Sequence, residues 1–179
     1  MRELTQTVTV SAENGFAGNC WQTCVACLLD IDPETMPPQA EYDLYTCNED
    51  GSRDLSVKEG KGSKSYTNPL QAYLREHHGL AYMEVHLPDE ALAVGGPILF
   101  NPEYSGGYHM LTGRTVRSAA TGTRHVVVAH HGRTIWDPHP SRAGLLDEIR
   151  WAFLIPYPRA WRSFYDSPCV CPTCEKKNP

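Results

Sequence analysis

The chain has 179 residues, 41% of them hydrophobic and 21% charged, which suits one globular domain rather than a disordered or fibrous segment. Its formal net charge of −5 argues against a protein that wraps nucleic acid or binds anionic membrane, because both need a basic surface. No apolar run approaches the roughly 20 residues that span a bilayer, and the first residues lack a signal-peptide pattern. We therefore expect a cytoplasmic protein whose partners include neither nucleic acid nor membrane.

The cysteine content indicates a chain with reduced thiols. There are seven cysteines, an odd number, whereas a secreted scaffold held by disulfides more often has an even number. Free thiols serve in catalysis, in metal binding or as small residues of the core, and the positions of the cysteines have to decide between these uses.

A first helix is predicted over residues 19–30. Asn19 suits the N-cap, and Gln22 at the third helical position suits a capping box, in which its side chain reaches back to the cap. The residues between are apolar on nearly every side, which is typical of a buried helix. Pro33 then stops the helix, because proline cannot continue it.

The middle of the chain contains a polar segment and a second helix. Residues 46–66 are polar, rich in glycine and almost without aliphatic side chains, so we expect an exposed loop that acts as a lid or is a disordered insertion. In the helix that follows, Asn68 is the predicted N-cap and Pro69 the first helical residue, and Gly79 ends the helix.

Beyond the second helix the hydrophobic period changes to two, which predicts strands. Strands that follow one another with few helices between them favour an antiparallel sheet with helices packed on one side, an α+β fold. The predicted strands are 80–87, 97–100, 108–115, 124–130, 133–137 and 151–157.

The first helix places a cysteine where a nucleophile would be activated. Cys20 stands in the first turn, where the helix dipole and unpaired backbone N–H groups stabilise a thiolate. The same N–H groups can bind an oxyanion. A cysteine on an apolar helix is more often a small core residue, so a catalytic role needs partners elsewhere in the chain.

A histidine and an aspartate on neighbouring predicted strands are the candidate partners. His125 begins one strand and Asp137 ends the next. A three-residue hairpin loop over 130–132 would pair Ala129 with Arg133 and set the histidine opposite the aspartate, with Cβ atoms about 5 Å apart. A two-residue loop would shift the register by one and turn the two side chains to opposite faces. A thiol, an imidazole and a carboxylate that meet in space are the groups that cysteine nucleophiles use.

Two stretches of the sequence resemble the papain-like cysteine peptidase superfamily, in particular its small bacterial and phage-encoded members. They are GNCWQTCVACLLDID at the first helix and RHVVVAHHGRTIWDPHPSRAGL at the predicted hairpin, and the resemblance covers 18–31 and 108–146. It implies a papain-like fold, in which a buried N-terminal helix carries the nucleophile and packs on an antiparallel sheet. It also implies Cys20 as the nucleophile, His125 as the general base and Asp137 as the residue that orients the base.

The resemblance implies an activity without a cofactor on a peptide or protein substrate. That activity is hydrolysis of a peptide, isopeptide or related amide bond, or the related acyl transfer or glutamine deamidation, in the cytoplasm of a bacterium or of a phage host. In the superfamily an oxyanion donor, usually glutamine, precedes the nucleophile, and here Asn14 or Asn19 is the candidate. Trp21 and His139 are candidates for the substrate cleft, with packing as the alternative for Trp21. A non-catalytic binding module on the same fold is the alternative function.

The C-terminal tail offers a different chemistry. We expect a cysteine hydrolase domain over 1–166 and a cysteine-rich tail over 167–179. A structural zinc ion takes four ligands, and the tail supplies three thiols within six residues, to which a cysteine of the polar loop or a histidine could add the fourth. Free thiols on a frayed tail are the alternative, and a bound metal would favour a zinc-stabilised interaction protein. The candidate zinc ligands are Cys169, Cys171, Cys174 and Cys47.

Overall fold

The computed structural model describes residues 1–9, 18–41, 66–86, 107–117, 123–147 and 150–157. Three predicted segments lie outside the described residues, namely most of the polar segment (46–65), the strand 97–100 and the cysteine-rich tail. Within the part of the chain that is described, none of the helices has the length and apolar character of a membrane span.

The first helix, α1, spans Cys20–Leu29 with Asn19 at the N-cap, close to the predicted range. The predicted capping box is wrong, because the Asn19 side chain makes no hydrogen bond to the helix and Gln22 instead donates to the Pro33 carbonyl (2.6 Å). The helix ends at Asp30, whose left-handed backbone (φ 59°) turns the chain before any proline is reached. Seven of the ten residues are buried, as the apolar pattern predicts.

Two single-turn 3-10 helices, Pro33–Thr35 and Gln39–Glu41, follow α1. The second helix, α2, spans Thr67–Tyr73 and continues as a wider π-helical turn over Leu74–His78. Gly79 ends this run with φ 63°, a left-handed conformation that glycine adopts without strain. The predicted end of the second helix is therefore confirmed.

The start of α2 differs from the prediction. The helix begins before Asn68, and the carbonyl of Tyr66 accepts its first hydrogen bond, from the Leu70 N–H (3.1 Å). Tyr66 is fully buried, and its hydroxyl donates to the Pro37 carbonyl (2.9 Å). Burial of this aromatic ring in the core shows that the exposed segment predicted over 46–66 does not include its last residue.

The structure contains five strands, β1 (Leu80–His86), β2 (Tyr108–Gly113), β3 (His125–His130), β4 (Arg133–Trp136) and β5 (Arg150–Pro156). They form one sheet in the order β1-β5-β2-β3-β4, and every pair of neighbouring strands is antiparallel. The fold is therefore α+β with an antiparallel sheet, as the succession of strands predicts.

Both helices pack on one face of the sheet. One hydrophobic cluster joins the two helical segments to β3. It contains the fully buried side chains of Cys24 in α1, Leu70 in α2 and Leu74 in the π-helical turn, together with Val126 and Val128 of β3. A second cluster occupies the opposite face and contains Leu111, Val127, Ala129, Trp151 and Phe153. Because successive residues of a strand point to opposite faces, β3 contributes to both clusters, and its continuous apolar sequence follows from burial on both sides.

The β3–β4 hairpin closes with a two-residue turn. The turn residues His131 and Gly132 have φ of 51° and 71°, and positive values at both positions are what a type I′ hairpin turn requires. The predicted three-residue loop over 130–132 is therefore wrong. By itself, a two-residue turn would place His125 and Asp137 on opposite faces of the hairpin.

A β-bulge in β4 reverses this effect of the turn. Ala129 pairs with Thr134, whereas its neighbour Val128 pairs with Trp136, so that Ile135 is an extra residue with no partner of its own. One extra residue shifts the register by one and changes the face of every residue beyond it. The bulge therefore returns the aspartate after β4 to the face of the histidine that begins β3.

Candidate active site

A short hydrogen bond joins the histidine at the start of β3 to the aspartate after β4. Nε2 of His125 lies 2.6 Å from Oδ1 of Asp137, and both side chains are buried. Across the sheet, His125 pairs with Gly113 of β2. A Cβ at Gly113 would lie 1.7 Å from the carbonyl oxygen of Asp147, so a neighbouring chain segment packs directly on the backbone opposite the histidine.

The thiol of Cys20 lies beside the same imidazole and is one of the groups that raise its pKa. Because Asp137 occupies Nε2 of His125, Nδ1 is the ring nitrogen left to interact with the thiol. Cys20 is the first residue of α1 and is only 6% exposed. One turn further along α1, Sγ of Cys24 lies 3.4 Å from the Val126 carbonyl oxygen and holds the helix against β3. The thiol, imidazole and carboxylate selected from the sequence thus lie together.

Burial and hydrogen bonding act in opposite directions on the charges of these groups. Burial alone would lower the pKa of His125, but hydrogen bonds with Asp137 and Cys20 outweigh it and raise that pKa to about 9. Burial would raise the pKa of Asp137, but the bonds from His125 and from two backbone N–H groups lower it to about 2. At neutral pH the histidine is therefore protonated and the aspartate ionised.

Asp137 is held in place by several backbone and side-chain contacts. Its Oδ1 also accepts the N–H of His139 (2.8 Å), and its Oδ2 accepts the N–H of Gly144 (2.8 Å). Arg142 donates to the Asp137 backbone carbonyl and to Oγ1 of Thr5 (2.7 Å), which ties this segment to the N-terminus. A carboxylate whose oxygens are all engaged keeps one orientation, and it therefore fixes the orientation of the imidazole.

The start of α1 is capped from outside the helix by Gln39, which the sequence analysis missed. Oε1 of Gln39 accepts the backbone N–H groups of Trp21 (2.9 Å) and Gln22 (3.0 Å), and its own N–H donates to Oε1 of Gln22 (3.0 Å). Two of the N–H groups assigned to an oxyanion from the sequence are therefore occupied. The N–H of Cys20 has no partner among the described residues.

The two asparagines proposed as oxyanion donors have different outcomes. Oδ1 of Asn19 accepts the Val8 N–H (3.0 Å), and Nδ2 of Asn19 donates to Oγ1 of Thr7 (3.0 Å). The Asn19 side chain therefore joins the N-terminal segment to the start of α1. Asn14 lies outside the described residues.

The two cleft candidates also lie in different surroundings. The ring of Trp21 packs against Tyr82, with ring centroids 5.1 Å apart, and edge-on against Tyr66 at 6.2 Å. Its contacts are those of a packing residue. The ring of His139 meets His125 edge to face, with centroids 5.9 Å apart and an angle of 89° between the rings. His139 is therefore adjacent to the triad of Cys20, His125 and Asp137.

The chain matches no protein-family model, no curated protein and no solved structure. The papain-like resemblance therefore rests on the two sequence stretches and on the three side chains that they bring together.

A cavity of about 500 Å³ opens beside the start of α1. It lies between the N-terminal segment and the segment that follows Pro33, and Asn19 and Gln22 form part of its wall. No residue of the triad lines it, so its position gives it no direct part in chemistry at Cys20.

The three thiols of α1 are free, and the two that follow Cys20 are chemically unlike a nucleophile. Cys20, Cys24 and Cys27 are buried and unpaired. Burial raises the pKa of Cys24 and of Cys27, which keeps both as neutral core thiols.

The candidate zinc ligands Cys47, Cys169, Cys171 and Cys174 all lie outside the described residues. Among the residues that are described, no group of three or more His, Cys, Asp or Glu side chains is arranged so that it could hold a metal ion. Zinc binding by the tail stays a prediction from the sequence.

Proposed function

We propose that the chain is a cysteine hydrolase with a papain-like fold that cleaves a peptide, isopeptide or related amide bond through a thioester acyl-enzyme. The observation that carries the proposal is that Cys20 interacts with the buried imidazole of His125, which is hydrogen-bonded to Asp137. A buried thiol alone is usually a core residue. A thiol bonded to an imidazole whose other nitrogen is held by a fixed carboxylate is the arrangement that activates a cysteine nucleophile.

The architecture supports the same proposal. Cys20 opens a buried helix, and this helix packs on an antiparallel sheet in which β3 begins with His125. The base is thereby attached to a rigid strand and the nucleophile to a rigid helix, which preserves the geometry between them. This is the arrangement that the resemblance to papain-like peptidases implies.

The first half of the reaction transfers the acyl group to the enzyme. The proton of Cys20 resides on His125 in a thiolate–imidazolium pair, and Sγ of the thiolate attacks the carbonyl carbon of the substrate. The resulting imidazolium is stabilised by Asp137, which stays ionised because its pKa is lowered to about 2. The imidazolium then protonates the leaving amine, the C–N bond breaks and a thioester to Cys20 remains.

The oxyanion that forms during this attack needs hydrogen-bond donors. The backbone N–H of Cys20 is the first donor in this proposal, because Gln39 occupies the N–H groups of Trp21 and Gln22. A second donor is expected from the side of the substrate cleft, where the superfamily places a side-chain amide before the nucleophile. Asn14 stays the sequence-based candidate for it.

The second half of the reaction decides between hydrolysis and its relatives. In hydrolysis, His125 removes a proton from water, the hydroxide attacks the thioester and the thiol of Cys20 is released. An amine that attacks in place of water gives acyl transfer, and a glutamine side chain as the substrate gives deamidation. All three reactions share the thioester acyl-enzyme, and the proposal specifies this intermediate and a peptide or protein substrate.

The proposal is tested with an activated ester, because such an ester reports on the nucleophile whatever the natural substrate is. We expect p-nitrophenyl acetate to give a burst of nitrophenolate with one equivalent per active site and an acetyl group on Cys20, identified by mass spectrometry. Cys20→Ala should abolish the burst. Cys27→Ala is the matched control, because it removes another buried thiol of α1, and it should leave the burst unchanged.

Two outcomes of this experiment would contradict the proposal. Acetylation that spreads over several cysteines, or a burst that persists in Cys20→Ala, would show that Cys20 is an ordinary thiol and would reject the hydrolase proposal.

A further inference from the structure

A group of polar side chains continues from the triad toward the surface. The ring of His139 contacts His125 edge to face. Nδ1 of His139 accepts the N–H of Ser141 (3.0 Å) and lies 2.9 Å from its Oγ, and the same Oγ accepts a hydrogen bond from Nη1 of Arg117. Ser141 therefore holds the imidazole and the guanidinium close to one another beside the catalytic histidine.

This group has donors that the described residues leave without acceptors. Because Nδ1 of His139 accepts a backbone N–H, the proton of the neutral ring is on Nε2, and Nε2 has no partner among the described residues. Arg117 makes no ion pair with any described carboxylate, whereas Arg114 pairs with Asp147 (2.5 Å). The half-buried Arg117 and the unpaired Nε2–H of His139 together present several hydrogen-bond donors and a positive charge.

The charge around His139 is positive. Burial lowers the pKa of His139, and the positive charges of Arg117 and His125 lower it further, against the opposing effect of Asp137. The negative charge of Asp137 is largely balanced by His125, to which it is bonded. The whole chain carries a net charge of −5. The positive charge beside His139 is therefore a local feature, and it favours the binding of an anion at this one place.

We propose that Arg117 and His139, held together by Ser141, form a subsite that binds a carboxylate of the substrate beside the triad. A carboxylate has two acceptor oxygens, which match the guanidinium of Arg117 and the Nε2–H of His139. The inference rests on the proposed function, since the subsite selects substrates for Cys20. The carboxylate is that of an acidic side chain or of a peptide C-terminus next to the reacting bond.

The test uses three probes of nearly equal shape that alkylate Cys20. They are the α-amide of N-chloroacetylglutamate, with a side-chain carboxylate only, N-chloroacetylglutamine, with a terminal carboxylate only, and N-chloroacetylglutaminamide, with neither. In each reaction the thiolate displaces chloride, a C–S bond forms and the C–Cl bond breaks. The rate at Cys20 is followed by site-resolved mass spectrometry in the full chain.

We expect one of the carboxylate probes to react about three- to five-fold faster than the neutral probe, which is the size of effect that one partly exposed ion pair produces. The preferred probe identifies the source of the carboxylate. In Arg117→Gln the preference should fall to about one. The preference should also decrease with added salt, because salt screens a partly exposed charge.

Arg133→Gln is the matched control, because it removes one exposed arginine at the far end of the β3–β4 hairpin, roughly 17 Å along the strand from His125. It should keep the preference for the carboxylate probe. A preference of similar size in wild type and Arg117→Gln would assign it to His125 alone and overturn the subsite, as would equal rates for all three probes. Failure of all three probes at Cys20 would instead reject the hydrolase itself, and the subsite with it.

Discussion

His125 and Asp137 lie 2.6 Å apart because β4 contains one residue more than the stretch of β3 with which it pairs. The extra residue is Ile135, and the bulge that it forms turns the aspartate to the face of the histidine. Bulges commonly occur beside active sites, where they redirect a side chain. Here the bulge sets the contact that orients the proposed catalytic base.

Deletion of Ile135 should break this contact. Without the extra residue the two-residue turn would keep its register, and the side chain of Asp137 would move to the opposite face from His125. We expect the alkylation rate of Cys20 at neutral pH to fall at least ten-fold, with the far-UV circular dichroism unchanged. Ile135→Ala is the control, because it keeps the bulge and trims a side chain that is 42% exposed. A deletion variant as reactive as Ile135→Ala would show that the bulge has no role in the site.

Asp137→Asn should lower the pKa of His125. The carboxylate supplies the strongest of the interactions that raise this pKa, and without it only the interactions with Cys20 oppose burial, which lowers the pKa. An NMR titration of the imidazole should show a pKa below the wild-type value of about 9, and Cys20 should lose reactivity. Asp32→Asn is the matched control, since Asp32 caps a short surface turn and its change should leave the titration of His125 as it was.

The stability of the fold should depend on pH through the same ion pair. The folded-state pKa of His125 is about 9 against an ordinary value of 6.5, so its contribution is complete below pH 6.5 and is lost as the pH rises through 9. The pKa of Asp137 is lowered from 3.8 to about 2, so its contribution is present above pH 4 and is lost as the pH falls through 2.

We therefore expect a plateau of stability between about pH 4 and 6.5, followed by a loss of up to roughly 3 kcal/mol toward pH 10. Both shifts describe one ion pair, so their energies are not summed. Urea unfolding across this range measures the effect, and His125→Gln should lack the alkaline loss. An alkaline loss of the same size in His125→Gln would assign it to other groups.

Gln39 should contribute to stability and to reactivity in separable ways. Gln39→Ala leaves the N–H groups of Trp21 and Gln22 without their acceptor, which should cost about 1–2 kcal/mol in urea unfolding. Gln39→Glu keeps an acceptor, and a negative charge near a helix N-terminus is favourable, so its stability should be close to that of wild type.

The same glutamate should reduce the reactivity of the thiol, because a negative charge near the first turn of α1 disfavours a thiolate at Cys20. The expected result is slower alkylation of Cys20 in Gln39→Glu despite a stable fold. Equal alkylation rates in Gln39→Glu and wild type would show that the cap does not act on the nucleophile.

Gly113→Ala should destabilise the chain by about 3 kcal/mol or more, because its Cβ would be placed 1.7 Å from the Asp147 carbonyl oxygen and the segments would have to separate. The resulting distortion of the backbone would lie directly opposite His125 in the sheet. Gly107→Ala is the matched control at the other end of β2, where a Cβ meets nothing within 4 Å. Similar unfolding midpoints for the two variants would contradict the close packing at Gly113.

The sequence predicts the parts of the fold that depend on local pattern. The buried helix that begins at Cys20, the strands that begin near Tyr108 and His125 and the glycine that ends α2 all follow from hydrophobic period and from glycine or proline positions. The sequence also predicts the side-chain contact between His125 and Asp137, but from an incorrect loop.

The remaining features depend on contacts that no short stretch of sequence contains. His131 adopts a positive φ that is uncommon for a residue with a Cβ, so the sequence favoured a loop in which only Gly132 does so. The bulge at Ile135 reflects pairing with a second strand. The cap by Gln39 joins residues that are 17 and 18 positions apart, and it replaced the local capping box that Asn19 and Gln22 suggested.

The most direct test of the account is the pH dependence of alkylation by iodoacetamide, followed separately at Cys20, Cys24 and Cys27 in wild type and in His125→Ala. We predict that wild-type Cys20 reacts fastest of the three thiols and does so already at neutral pH. Replacement of His125 by alanine should remove this advantage. If Cys20 reacts no faster than Cys24, or has the same pH profile with and without His125, then the two residues are not a catalytic pair.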